Sequence, residues 1–195
     1  MAITDNIRDG QSGLIARAVA AVSGGASCVQ LRLKDVSARD LAGVARAMVR
    51  ELNVPVIIDD RADVALAAGA AGVHVGADDV PASAIRAIVP DGFIIGVSVG
   101  SDAEIEFAHG ADYVGVGPVF VTQSKDDAGH AIGLSELSRL VIAAGLPAVA
   151  IGGITVANAR LAMDAGVDGV ATIAAVFGAI DPSAAAKALR YAIEK

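Results

Sequence analysis

The sequence has few aromatic residues and little sulfur. It contains no Trp, two Tyr, four Phe and a single Cys among 195 residues. One cysteine cannot build a disulfide scaffold, and a chain that is 54% apolar is neither disordered nor collagen-like. Its 22 glycines and many small aliphatic residues suit helices packed closely on strands better than an aromatic-cored sandwich. We therefore expect one α/β domain spanning residues 1–195.

Positive charge is also scarce. The chain carries 15 Lys and Arg against 22 Asp and Glu, which gives a formal net charge of -7. A general electrostatic footprint for nucleic acid or for an anionic membrane is therefore absent, and we expect neither as a partner. An anionic ligand would have to be held by local cations or by a metal ion.

Targeting and membrane signals are missing as well. Residues 1–5 lack the basic flank and long apolar core of a signal peptide. Glycines and a proline interrupt the most hydrophobic uncharged window, 140–159, which predicts a buried strand with loops rather than a membrane span. Cys28 lies in an apolar run with no basic neighbour, which is typical of a reduced, unreactive thiol. We expect a cytoplasmic protein.

A short sequence motif, glycine and a small residue followed by an apolar strand, recurs four times. It begins at Gly25, Gly69, Gly110 and Gly166, each time after a helix-like segment. This pattern predicts a helix that ends in a left-handed cap and leads directly into a buried strand. Four further apolar runs bring the number of short strands to eight, at 2–4, 54–58, 93–97 and 148–151.

Helix-like segments alternate with these strands. They are predicted at 13–22, 38–52, 62–68, 82–89, 102–109, 134–144, 156–165 and 182–194. Strict alternation indicates a parallel sheet, and eight units with nearly continuous apolar strands indicate a closed (β/α)8 TIM barrel. A doubly wound open sheet is the alternative. In a barrel the chemistry sits on the loops after the strands, so the long loop 117–133 is predicted to be a lid or ligand loop.

Polar residues alternate along the second strand. Gln30, Arg32 and Lys34 occupy every second position, and helices cover the outer face of a barrel, so these side chains are expected to point inward or toward the rim. A cation there needs an anionic partner, because an unpaired buried charge is costly. A phosphate site is favoured, and an ion pair with an acid on a neighbouring strand is the alternative.

Carboxylates follow the next two strands. Asp60 comes after the third strand and Asp79 after the fourth, which places both acids at one rim. Pairs of carboxylates without a nearby Cys or His cluster suit Mg²⁺. The alternative is that each caps the helix that follows it. Their proximity to Arg32 and Lys34 favours a magnesium ion held together with substrate phosphates.

Backbone and histidine patterns complete the rim. Gly152 and Gly153 end strand seven and a new helix follows strand eight, at the usual phosphate location of the barrel fold. His74 lies within a strand and is predicted to be a hydrogen-bonded core or rim residue rather than a base. The spacing of the Ser, His and Asp residues in the sequence predicts no catalytic triad.

Motifs spread over nearly the whole chain match one known family. The matching stretches are 3–5, 29–35, 57–61, 72–76 with Asp79, 96–98, 112–120, 122–125, 133–134 and 151–155. On these stretches the sequence resembles the thiamine phosphate synthase family, whose fold is the (β/α)8 barrel. The resemblance implies a transferase that joins hydroxymethylpyrimidine diphosphate to a thiazole phosphate, forming thiamine monophosphate and releasing diphosphate. Magnesium is the implied cofactor.

The resemblance also implies roles for particular residues. Asp60 and Asp79 match the family's metal ligands. The positions that match the pyrimidine diphosphate site are Gln30, Arg32, Lys34, Asp59, Ser98 and Lys125, of which Arg32, Lys34, Ser98 and Lys125 form the implied catalytic set. Those that match the thiazole phosphate site are Thr122, Ser124, Gly153, Ile173 and Ala174. The implied partners are two small-molecule substrates, with a homodimer as one option for assembly.

Three positions depart from the family pattern. Asp59 stands where the family usually has Asn, Gly100 stands where a His is common, and Ala174 replaces a frequent Ser. None of these changes removes an implied metal ligand. Two alternatives are the related thiazole tautomerase branch and a non-enzymatic regulator that binds phosphate ligands. Lys34, the carboxylate pair and the Gly117–Pro118 step favour the synthase.

Overall fold

Eight parallel strands form the centre of the molecule. The structure, a computed structural model, describes residues 1–5, 7–122 and 130–194. Each strand pairs in parallel with the next, and a parallel bridge from Ala2 to Thr172 joins the last strand's end to the first. The predicted (β/α)8 barrel is therefore confirmed. The strands are β1 Ala2–Ile3, β2 Val29–Leu31, β3 Val56–Asp59, β4 Gly72–Val75, β5 Ile94–Val99, β6 Tyr113–Val116, β7 Ala148–Ala150 and β8 Gly169–Val170.

Helices follow the strands around the outside. In the described part of the chain they are α1 Gly10–Ser23, α2 Ala38–Glu51, α3 Ala62–Ala68, α4 Ala82–Arg86, α5 Asp102–Ile105, α6 Gly133–Ala144, α7 Ala159–Asp164, α8 Ala174–Phe177 and α9 Pro182–Glu194. A 3-10 turn, Glu106–Ala108, completes the segment predicted as the fifth helix. None of the helices in the described ranges has the length and apolar character needed to cross a bilayer. The cytoplasmic location and the homodimer stay predictions.

Two helices are shorter than the sequence suggests. Helix α7 begins at Ala159 rather than at residue 156, because the Asn158 side chain holds the preceding turn. Its Oδ1 accepts the Thr155 N–H at 2.7 Å and its Nδ2 donates to the Gly153 carbonyl at 2.9 Å. Helix α4 ends at Arg86, and the predicted helix to residue 89 is too long, because Pro90 disfavours helical geometry at Val89.

Alternation along the strands separates two layers. Val29 and Leu31 on β2, and Val73 and Val75 on β4, are at most 1% exposed and belong to the apolar core between sheet and helices. The residues between them, such as Gln30 and His74, face the barrel interior. The four repeat glycines all have positive φ, between 69° and 104°, as the repeat predicts. The repeat therefore directs one face of each strand to the helices and the other to the interior.

Two aspartates of the repeat stabilise the amino ends of the strands. The Asp168 N–H donates to the Ala148 carbonyl at 2.8 Å, and the Asp168 carboxylate accepts the Ala148 N–H at 2.8 Å. Asp112 makes the same reciprocal pair with Ile95, at 2.8 and 2.7 Å. Each carboxylate satisfies a strand amide that would otherwise be buried without an acceptor. These contacts lie at the end of the barrel opposite the loops that follow the strands.

We expect Asp168→Ala to lower the free energy of unfolding by about 1 to 3 kcal/mol, because the buried Ala148 N–H loses its acceptor. Asp164→Ala is the matched control, since its carboxylate pairs with Arg160 on the exposed surface of α7. That change should cost no more than about 1 kcal/mol. Urea denaturation of the two variants measures the difference. Equal losses would show that the reciprocal hydrogen bonds do not stabilise the barrel.

Candidate active site

The carboxyl ends of the strands open onto a cavity of about 1120 Å³. Its walls come from the loops after seven strands, β2 to β8. In (β/α)8 barrels this is the face that carries the chemistry. The cavity is therefore the candidate active site, and nearly all the site residues predicted from the sequence can be located relative to it.

Cations and carboxylates form one cluster on the wall made by β2 and β3. Lys34 Nζ lies 2.6 Å from Asp60 Oδ2 and 3.7 Å from Asp59 Oδ2. Arg32 Nε lies 3.5 Å from Asp59 Oδ2. The hydrogen bond to Asp60 raises the pKa of Lys34. The alternative of ion pairs to a neighbouring strand is thus present, and both cations still line the cavity, where an anionic ligand can reach them.

Gln30 lies one layer deeper than this cluster. It is only 3% exposed, and its Nε2 donates to Asp59 Oδ1 at 2.5 Å. It lines a small pocket inside the barrel rather than the large cavity. An ionised carboxylate only accepts hydrogen bonds, so Asp59 fixes which end of the Gln30 amide faces it. In this structure Gln30 supports the wall through Asp59 instead of forming the wall itself.

Asp59 and Asp60 are neighbours in sequence, yet both line the cavity. Consecutive residues of a strand point to opposite sides, but β3 ends at Asp59 and Asp60 takes the left-handed conformation, with φ of 61°. The Asp60 N–H then donates to the His74 carbonyl at 2.8 Å. This turn therefore brings both carboxylates to the cavity, although strand alternation alone would bring only one.

Neither of the expected helix caps is present. The residue before α3 is Arg61, which makes no side-chain capping bond, so the capping alternative for Asp60 is wrong. Helix α4 follows Pro81, and Asp79 Oδ2 instead accepts the Gly76 N–H at 2.7 Å within its own loop. Burial, and then the nearby charge of Asp60, raise the pKa of Asp79. The two carboxylates therefore face one another across the rim.

Acidic side chains outnumber cationic ones in the described lining. Two cations, Arg32 and Lys34, meet five carboxylates, those of Asp59, Asp60, Asp78, Asp79 and Glu104. Such a cavity repels an anion unless a further cation joins it. Within the described ranges no group of three or more His, Cys, Asp or Glu side chains could hold a metal ion alone. The donor chemistry fits Mg²⁺ bound by Asp60 and Asp79 with water or phosphate oxygens completing its shell.

Glycines form the wall on the β7 side. Gly152 and Gly153 have φ of 92° and 65°, and both line the cavity. A Cβ on Gly152 would lie 2.5 Å from Pro118 Cα, and one on Gly153 would lie 2.7 Å from the Val121 carbonyl oxygen. Any other residue would strain the backbone and push the β6 loop away. Glycine is therefore required at both positions, and no side chain covers the backbone of this wall.

The end of β8 lies beside these glycines. Ile173 and Ala174 line the cavity, and α8 begins at Ala174, so its first N–H groups have no partner within the helix. Thr122 and Gly153 line the same cavity. Ser124 and Lys125 lie outside the described residues. The ends of their loop are tied together, because Ile132 and Gly133 donate N–H groups to the carbonyls of Pro118 and Val119 at 2.8 and 3.0 Å.

Ser98 lines the cavity and contacts a histidine below it. His74 Nε2 lies 3.0 Å from Ser98 Oγ, and His74 Nδ1 lies 2.9 Å from the Tyr113 hydroxyl. The prediction that His74 is a hydrogen-bonded residue of the core or rim is confirmed, since it is 9% exposed. Tyr113 was missed in the sequence. Its only signal was the presence of Gly96 and Gly115, which leave room for two rings.

Two other predicted features can be compared with the structure. A Cβ on Gly100 would lie 2.9 Å from the Gly117 carbonyl oxygen, and the Gly100 N–H donates to Glu104, which the sequence interpretation did not include in the site. A larger residue at position 100 would therefore require the β6 loop to shift. Cys28 is partly buried, and this burial raises its pKa to about 11, which agrees with an unreactive thiol.

Similarity to known proteins agrees with this architecture. The family model described as thiamine monophosphate synthase matches residues 1–176. The thiamine-phosphate synthase of Roseiflexus castenholzii is 49% identical over 192 residues, covering 96% of this chain and 84% of the relative. That of Methanoculleus marisnigri is 52% identical over 176 residues, covering 87% and 83%.

A solved structure shows the same likeness. The thiamine phosphate pyrophosphorylase from Pyrococcus furiosus superposes with a TM-score of 0.85 at 39% identity, covering 99% of this chain and 94% of that one. The family resemblance and the transferase function predicted from the sequence are thereby confirmed. With a family model over most of its length and close relatives over nearly all of it, the chain belongs to the thiamine monophosphate synthase family.

Proposed function

We propose that this enzyme joins a hydroxymethylpyrimidine diphosphate to a thiazole phosphate, forming thiamine monophosphate and releasing diphosphate. The observation that carries the proposal is one cavity with two different walls suited to anions. One wall offers Arg32 and Lys34 beside a carboxylate pair, and the other offers the bare backbone of Gly153 and Ala174. A reaction between two phosphorylated substrates needs two such places at once.

The wall from β2, β3 and β4 suits the diphosphate. Arg32 and Lys34 supply positive charge toward the cavity, and their pairing with Asp59 and Asp60 holds both side chains in place before substrate arrives. Preorganised charges stabilise a leaving group without having to move during the reaction. A magnesium ion bound by Asp60 and Asp79 would supply the further positive charge that two phosphates require.

The wall from β7 and β8 suits a single phosphate. Backbone N–H groups near Gly153 and at the start of α8 favour an anion. Thr122 adds a hydroxyl from the loop after β6. Ala174 contributes a backbone amide but not the hydroxyl of the serine frequent in the family. We assign this wall to the thiazole phosphate.

Bond breaking and bond making occur between the two walls. The carbon–oxygen bond of the pyrimidine methylene breaks, its electron pair leaves with diphosphate, and the thiazole nitrogen donates its pair to the methylene carbon. The methylene cation formed on the way would be captured by water in an open site. The partly buried side chains of Ile132 and Ile151 line the cavity, and they support exclusion of water from the reacting carbon.

The direct test is to incubate the purified protein with both substrates and Mg²⁺ and to detect thiamine monophosphate by mass. Stoichiometric release of diphosphate should accompany the product. Tight binding of both ligands without product would indicate a phosphate-binding regulator. Isomerisation of the thiazole alone would indicate the tautomerase branch. Either result would overturn the proposed reaction.

We expect turnover to require a divalent ion. A chelator should abolish product formation and added Mg²⁺ should restore it, because the carboxylates of the cavity outnumber its cations. Asp60→Ala and Asp79→Ala should each lower turnover by about 100-fold, with melting temperatures close to that of the parent. Asp63→Ala is the control, since that carboxylate pairs with Arg61 at the surface. Full activity in chelator would contradict the metal requirement.

Asp59→Asn tests whether the added carboxylate opposes the diphosphate. A carboxylate about 6 Å from a phosphate oxygen costs about 3 kcal/mol at an effective dielectric of about 20, and the pairing with Arg32 offsets part of this. The amide can still accept the Gln30 hydrogen bond. We therefore expect roughly tenfold tighter diphosphate binding and unchanged Mg²⁺ affinity by calorimetry.

Asp63→Asn controls for the change in net charge, because it removes the same charge outside the cavity lining. It should leave diphosphate binding within twofold, roughly the effect of a screened surface charge. Weaker Mg²⁺ binding by Asp59→Asn would instead make Asp59 a metal ligand. No change in either affinity would place Asp59 outside the site.

A further inference from the structure

Three side chains from adjacent strands form a connected chain under the cavity. Tyr113 on β6 contacts His74 on β4 through its hydroxyl, 2.9 Å from Nδ1. His74 contacts Ser98 on β5 through Nε2, 3.0 Å from Oγ. The Tyr113 and His74 rings are tilted by 40° with centroids 5.5 Å apart. Only Ser98 and His74 of these three line the large cavity.

Two glycines make room for the rings. Gly96 pairs with both His74 and Tyr113 across the sheet, and a Cβ there would overlap the Tyr113 ring. Gly115 pairs with Ser98, and a Cβ there would lie 3.0 Å from His74 Cε1. A barrel interior is normally filled by branched side chains. Here glycines on β5 and β6 replace such side chains, and the two rings fill the space.

The direction of the hydrogen bonds follows from the buried phenol. Burial raises the pKa of Tyr113, so the phenol keeps its proton and must donate it to an acceptor. His74 Nδ1 is in position to accept it. A neutral imidazole that accepts at Nδ1 carries its proton on Nε2 and donates it to Ser98 Oγ. The single hydroxyl hydrogen of Ser98 is then left for an acceptor in the cavity.

We propose that Tyr113 and His74 are positioning residues that make Ser98 a one-way hydrogen-bond donor to the anionic substrate. The inference rests on the proposed function and on the family resemblance that implies a place for Ser98 at the pyrimidine diphosphate. A hydroxyl held as a donor stabilises a phosphate oxygen, and it does so more strongly as the leaving group gains charge. A hydroxyl free to rotate would present a lone pair to the same oxygen part of the time.

The tautomer can be measured directly on the free protein. The chain has three histidines, so ¹⁵N-histidine labelling gives few signals, and His74→Gln assigns the signal of His74. At a pH where the ring is neutral, we expect the His74 proton on Nε2. In Tyr113→Phe, Nδ1 loses its donor, and the Nδ1–H form should appear. A His74 proton on Nδ1 in the parent protein would overturn the proposal.

Kinetics test the consequence for Ser98. Tyr113→Phe should lower kcat by about fivefold to tenfold with little change in KM, the scale of one lost hydrogen bond. In a Ser98→Ala background the same change should have no further effect on kcat, because the hydroxyl that Tyr113 and His74 orient is then absent. Tyr191→Phe on the exposed face of α9 is the matched control and should match the parent. Equal losses of kcat in both backgrounds would overturn the proposal.

A conservative replacement separates positioning from packing. His74→Gln keeps an amide donor for Ser98 and should retain more of kcat than His74→Leu, which fills the space without a donor. Equal kcat for the two variants, at equal melting temperature, would reduce His74 to packing and overturn the proposal. The tautomer measurement does not depend on turnover. Absence of product from the parent protein would overturn the proposed reaction instead.

Discussion

The ion pairs between β2 and the carboxylates that follow β3 are the interaction on which the site depends. Arg32 would be costly near the barrel interior without Asp59, and Asp59 and Asp60 would repel each other without Arg32 and Lys34. The pairing fixes all four side chains in the absence of ligand. The described lining still has more carboxylates than cations, and this excess supports the proposal that phosphates bind together with a divalent ion.

The fold could be predicted from the sequence because its signals are local and repeated. The four motifs that begin at Gly25, Gly69, Gly110 and Gly166 each predict a glycine with positive φ followed by a buried strand, and the structure has both. These motifs give four of the strands, and the apolar runs between them give the other four. Helix ends were less predictable, since the start of α7 depends on hydrogen bonds from the Asn158 side chain to the backbone. No periodicity in the sequence carries that information.

The site could be predicted less completely than the fold. The alternation of Gln30, Arg32 and Lys34 places them on one side of β2, but it does not show that Gln30 lies below the cavity. The left-handed Asp60, which turns a second carboxylate into the cavity, belongs to a conformation that Asp adopts only occasionally. Tyr113 could not be predicted, because the space for its ring depends on glycines of two strands that are neighbours only in the folded sheet. Pairings between strands decide such features.

The tied base of the loop after β6 bears on how this protein can change over evolution. Hydrogen bonds from Ile132 and Gly133 to Pro118 and Val119 close the loop at its root, independently of the residues beyond. Loop-closure entropy depends only weakly on length, and in general doubling the length of a loop costs about 0.6 kcal/mol. Insertions and deletions between those anchors are therefore nearly neutral for the barrel. The length of this connection can therefore change during evolution while the eight strands stay in register.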